Sequence, residues 1–124
     1  MIHAFEPDPR AIAKFRANIA NPRVRLFETA IGSADGEAVF HVSSGLPANT
    51  PPEIRVQYPE GWDRSGSLHA PKEHKTKFPW CKFDKSIAVA ARSLDSWAGQ
   101  HGIGTVDFIW ADMQGAEGDL TIPS

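Results

Sequence analysis

The chain has 124 residues, 41% of them hydrophobic and 23% charged, which is the make-up of one globular folding unit, whole or partial, and not of a disordered segment. A formal charge of −2 excludes a global electrostatic hold on nucleic acid or an anionic membrane, and the single cysteine, Cys81, excludes an internal disulfide and fits a reducing, cytoplasmic setting. No apolar run approaches the ~20 residues of a membrane span, and the first residues show neither the basic segment nor the apolar stretch of a signal peptide.

Ile2 to Phe5 form a short apolar run that stops at Glu6-Pro7, as a buried parallel strand would. Asp8 then stands as an N-cap with Pro9 at the first helical position, and Ile12, Phe15 and Ile19 recur at helical spacing until Asn21-Pro22 ends the helix. Val24 to Ile31 reads as a second strand closed by Gly32. Asp35-Gly36 is a turn signal, and Glu37 to Val42 alternates as a short antiparallel strand should. Over residues 43–86 the periodicity dissolves, punctuated by six prolines, and this stretch reads as a long irregular insertion packed across one end of a sheet. Ile87 to Ala91 is a small strand. Ser93 caps a short helix that buries Leu94 and Trp97 and stops at Gly102. Val106 to Ala111, apolar on both faces, reads as a central strand covered by helices on both sides, and Gly115-Ala116-Glu117 reads as the start of another helix.

Alternating strands and helices predict an α/β fold with a mainly parallel sheet and helices on both faces, and such sheets bind ligands beyond the carboxyl ends of their strands. The acids at strand ends are therefore the candidates. Glu6, directly after the first strand and stiffened by Pro7, is placed to accept hydrogen bonds from both hydroxyls of a ribose; the alternative is a solvated turn acid beside the following helix. Asp112, directly after the central strand, is placed to orient a ligand ammonium or to take a proton from an attacking hydroxyl, although an aspartate near its ordinary pKa of ~3.9 is a weak base. It can equally cap the helix that follows.

Five blocks in chain order carry a resemblance: HAFEPDP (His3 to Pro9), AIG with DGEA (Ala30 to Ala38), SGSL (Ser65 to Leu68), LDSW (Leu94 to Trp97) and VDFIWADMQGAEGD (Val106 to Asp119). Together they resemble FkbM-type methyltransferases. The resemblance implies a Rossmann-like domain that binds S-adenosylmethionine and methylates a hydroxyl oxygen of a sugar or another small molecule. It implies that Glu6 and Pro7 hold the cofactor ribose, that Ala30 and Ile31 border the adenine, and that Asp112 and Gln114 face the reactive end, with Asp112 as the catalytic candidate. Gln114 stands where the family often has Glu, which keeps the hydrogen-bonding reach and removes a charge.

Only five residues precede Glu6, too few for the first strand and glycine-rich loop of such a fold, and the stretch after Gly115 is equally short of the later strands. Residues 1–124 are thus expected to be a single, partial methyltransferase domain with an incomplete Rossmann-like sheet and the Pro-rich insertion at 43–86. Exposed sheet edges and self-association are expected with it. A second reading stays open: a non-catalytic α/β module, derived from a methyltransferase, that binds a ligand or a protein.

Three other constellations carry less. His69, His74 and Cys81 match no zinc spacing, so no metal is expected. Lys72 to Lys77 with Phe78, Trp80 and Lys82 interleaves cations and aromatics, but reads as a solvated loop rather than a nucleic-acid site. Trp62 and Trp80 could wall an acceptor pocket, and Ser65-Gly66-Ser67 reads as a turn folding back toward the cleft.

Overall fold

A computed structural model describes residues 1–70, 76–114 and 116–120. It has an α/β architecture in two sheets. Strand β1 (Ile2–Phe5) pairs in parallel with β2 (Val24–Phe27), joined by helix α1 (Pro9–Asn18). The second sheet has the order β3-β5-β4, with β3 (Ala30–Ile31) parallel and β4 (Gly36–Ser44) antiparallel to β5 (Lys82–Arg92). A short helix α2 (Pro52–Arg55), helix α3 (Leu94–Gln100) and a 3-10 turn (Glu117–Leu120) complete the described elements.

Local chemistry accounts for most of the boundaries. Asp8 caps α1 by accepting the Arg10 backbone N–H at 2.9 Å, with Pro9 at the first helical position. Ser93 caps α3 through the Ser96 N–H, and Gly102 follows that helix in the left-handed region at φ +66°. The Asp35 carboxylate accepts the Ser93 N–H at 2.9 Å, which pulls its pKa below the ordinary value and ties the β4 turn to the start of α3.

Several expectations are corrected. Val24 to Ile31 is two strands in two sheets, because the chain leaves the β1 ladder at Glu28 and Thr29, where the Thr29 hydroxyl donates to the Ala90 carbonyl. The expected parallel pairing holds in part: β1-β2 and β3-β5 are parallel, but the longest pairing is the antiparallel β4-β5 ladder, so the second sheet is mixed. Both strands of that ladder are longer than the periodicity suggested, at nine and eleven residues. Val106 to Ala111 is not a strand. It finds no ladder partner among the described residues, and Phe108 and Trp110 are 76% and 84% exposed. The segment after it forms a 3-10 turn rather than an α-helix, while Gly115, Lys72 to Lys75 and His74 lie outside the described residues.

Two apolar clusters hold the parts together. Ala30, Phe40 and Val89 form one across the second sheet, with Val42, Leu68 and Ile87 packed on it. In the other, Trp97 of α3 lies edge-on to Phe5, His3 and Phe27 with centroids 4.8, 4.9 and 5.3 Å away, an arrangement in which ring edges meet ring faces. Trp97 is only 3% exposed. Its truncation to Ala should cost about 3–5 kcal/mol of unfolding free energy, the usual range for a buried large aromatic, measured by urea denaturation followed by circular dichroism.

Candidate functional site

The backbone of Glu6 continues the β1 ladder, its N–H donating to the Phe27 carbonyl at 3.1 Å, so its side chain leaves the sheet at the carboxyl end of the strand. Its Oε1 accepts the Asp8 N–H at 2.9 Å, and among the described residues Oε2 has no hydrogen-bond partner. Burial pushes the Glu6 carboxyl above its ordinary pKa; the Asp8 N–H opposes that shift, and the Asp8 and Asp63 charges add to it. A desolvated carboxylate with one oxygen uncommitted is suited to paired hydroxyl donors, which satisfy it without bringing in a counter-charge.

Asp8 is 1% exposed and is neutralised by Arg10, whose Nε and Nη2 reach its two oxygens at 3.0 and 2.7 Å. The same guanidinium donates to the carbonyls of Ser43 at 2.8 Å and Glu60 at 3.2 Å. Ser43, fully buried, donates its hydroxyl to the Trp62 carbonyl and accepts the Ser65 N–H. A chain of polar contacts therefore runs from the Glu6 turn to the Ser65-Gly66-Ser67 loop.

That loop is fixed by close approach. Gly66 lies on the ring of Phe40, where an added Cβ would stand 2.3 Å from Cζ, so only glycine fits. Ser67 pairs with His41 of β4 through both backbone groups, and its hydroxyl is shared between the carbonyls of Met113 and Gln114 at 3.3 and 3.2 Å. Leu68 then meets Gly32, just after Ala30 and Ile31. Thus Ser65 to Leu68 touches the Met113–Gln114 segment directly, lies against Gly32 after β3, and reaches the Glu6 turn through Ser43, Arg10 and Asp8.

The structure treats the residues singled out from the sequence differently. Asp112 and Gln114 are brought together, Gln114 Nε2 donating to Asp112 Oδ1 at 2.6 Å, with Gln114 held in the left-handed region at φ +53°, a costly conformation for a residue with a side chain. Asp112 is exposed rather than buried. Ala30 and Ile31 are buried, at 5% and 7% exposure, so their side chains belong to the packing of β3. Pro7 lines an open groove of about 450 Å³ between α1 and β5, with Ile12, Arg16, Glu28 and Val89. Trp62 and Trp80 meet edge to face at 5.7 Å, beside Tyr58, which carries Lys14 over its ring. Sequence reasoning missed Arg10 and Ser43, because no local pattern announces a contact across 33 residues. It also missed the pairing of His69 Nε2 with Asp119 Oδ2 at 3.0 Å. Among the described residues no three His, Cys, Asp or Glu side chains gather as metal ligands.

The raised Glu6 pKa sets the sign of a pH effect. The folded state binds the Glu6 proton more tightly than the unfolded chain, so this contribution to stability is complete below the unfolded value of 4.5 and is lost as pH climbs through the higher folded value. Glu6→Gln should remove that loss, so that urea midpoints of variant and wild type diverge in the variant's favour from pH 4 to 7. Parallel curves would contradict the burial of this carboxylate.

The chain matches the Methyltransferase FkbM domain over residues 1–120. It is 41% identical over 120 residues to the 2-O-methyltransferase NoeI of Sinorhizobium fredii (strain NBRC 101917 / NGR234), a match that covers 96% of this chain and 45% of that protein, so the chain spans less than half the length of this relative. No solved structure matches. With the family match spanning nearly the whole sequence, the chain belongs to the FkbM methyltransferase domain family.

Proposed function

We propose that this chain provides an S-adenosylmethionine-binding face of an O-methyltransferase that modifies a hydroxyl of a sugar or a comparable small molecule. The observation that carries the proposal is the Glu6 carboxylate, half-buried at a strand end with Oε2 uncommitted and its turn tied through Arg10 to the serine loop. The family match and the 2-O-methyltransferase relative support the reaction class. When bound, S-adenosylmethionine supplies an electrophilic methyl group on a sulfonium, so the protein's part is alignment of a nucleophilic oxygen and exclusion of water.

Glu6 would accept the ribose hydroxyls, with Pro7 limiting the freedom of its turn. Asp112 and Gln114, already hydrogen-bonded, would hold the reactive end, the carboxylate toward a ligand ammonium and the amide toward a carboxylate or hydroxyl. Ala30 and Ile31 would meet the adenine edge through the β3 backbone and its following turn, because their side chains are committed to the core. The single-domain arrangement over 1–124 and a cytoplasmic setting belong to the same proposal, with the insertion expected at 43–86 narrowed to 45–81 because β4 runs to Ser44 and β5 starts at Lys82. Among the described residues no helix is long and apolar enough to cross a membrane.

Isothermal titration with S-adenosylhomocysteine tests the binding face: saturable heat is expected, with affinity at least about tenfold weaker in Glu6→Ala because charge-assisted hydrogen bonds to a diol are lost. No heat at millimolar ligand would overturn it and favour the non-catalytic module. The exposed run Val106, Phe108, Ile109 and Trp110 further suggests association with a second copy, since contiguous apolar surface of this kind is rarely left in water. Sedimentation velocity should show concentration-dependent dimers that diminish in the Phe108→Ser, Trp110→Ser double variant; a wild-type monomer at every concentration would refute this.

A further inference from the structure

With Asp112 turned to a ligand ammonium in the proposed function, a cluster outside Glu6, Asp112 and Gln114 is better suited to accept the proton of the attacking hydroxyl. We propose that His69 is the general base of the transfer, held in its reactive tautomer by Asp119, the inference resting on the methyltransferase reading of the same site.

Three observations place the dyad. His69 Nε2 lies 3.0 Å from Asp119 Oδ2, and the Asp119 side chain is only 15% exposed while that of His69 is 52% exposed. A mostly buried carboxylate beside a half-exposed imidazole is an arrangement in which the carboxylate can orient the ring while the ring exchanges protons on its open side. Second, both residues sit on segments that meet at Gln114, which the proposed function places at the reactive end. The Ser67 hydroxyl accepts the His69 N–H at 3.1 Å and is shared with the carbonyls of Met113 and Gln114, while the Asp119 N–H donates to the Ala116 carbonyl in the turn that follows Gln114. Third, Asp112 is already engaged: its Oδ1 accepts the Gln114 amide at 2.6 Å, and it lies on the surface.

With its proton on Nε2, donated to Asp119, the imidazole presents an unprotonated Nδ1, which has no hydrogen-bond partner among the described residues. Nδ1 would take the acceptor hydroxyl proton as that oxygen bonds to the methyl carbon. The carbon–sulfur bond of the donor breaks with its electron pair left on sulfur, giving a methyl ether and S-adenosylhomocysteine, and the imidazolium then returns its proton to water. General bases of this kind contribute roughly 10²–10⁴-fold to rate.

The test uses the whole chain. Long-range ¹H–¹⁵N correlation spectra of the histidine side chains should show His69 as the Nε2–H tautomer, and Asp119→Asn should abolish that preference; an Nδ1–H tautomer in the wild type would overturn the proposal. In a methyl-transfer assay with simple glycosides as acceptors, His69→Ala should lower kcat by about 100-fold or more with S-adenosylhomocysteine affinity unchanged, and free imidazole should restore part of the rate, which a purely structural role would not allow. Equal rates in variant and wild type, loss of rate without imidazole rescue, or a wild type that binds S-adenosylhomocysteine but transfers nothing would each overturn it. If S-adenosylhomocysteine does not bind at all, the binding reading fails instead, and the tautomer spectra still decide the dyad.

Discussion

The Arg10 guanidinium is the junction on which the arrangement depends. It neutralises Asp8, which is otherwise a charge sealed away from water, and directs two further donors to the carbonyls of Ser43 and Glu60. An ammonium could not do this, because the planar fork reaches two carboxylate oxygens and two carbonyls from one position. Breaking such a pair from either side strands a buried charge, which is far more damaging than the net worth of the contact. Through it the helix that follows Glu6 is welded to the end of β4, and from there Ser43 positions the serine loop.

What was legible in the sequence was whatever depends on neighbouring residues. Asp8-Pro9 and Ser93 announced helix starts, Gly102 announced a stop, and Glu6 announced a strand end, because each obeys a rule confined to a few positions. The split of Val24 to Ile31 was not legible. Both halves are equally suited to extended backbone, and only the Thr29 hydroxyl, bound to a carbonyl 61 residues away, marks where the chain changes sheets. The His69–Asp119 pair was equally hidden, since nothing links positions 50 apart until the loop at Ser67 meets the turn after Gln114.

The segment from Val106 to Ala111 shows the limit of pattern reasoning from the other side. Its composition asks for burial on both faces, yet a strand also needs neighbours on both edges, and apolar periodicity specifies the faces without supplying the edges. Here the ladder partners are missing among the described residues, so the same residues that argued for the middle of a sheet end up on the surface.

The two sheets share no ladder among the described residues, and the grooves lined by Pro7 and Val89 on one side and by Phe27 and Trp97 on the other follow the seam between them. Glu6 belongs to one bank of that seam, and Ala30 with Ile31 to the other. Side chains in place of a shared ladder therefore fasten the joint: Arg10 reaches from α1 to the end of β4, and Trp97 of α3 packs edge-on against Phe5 and Phe27. Its stiffness rests on a few contacts that point variants can undo one at a time.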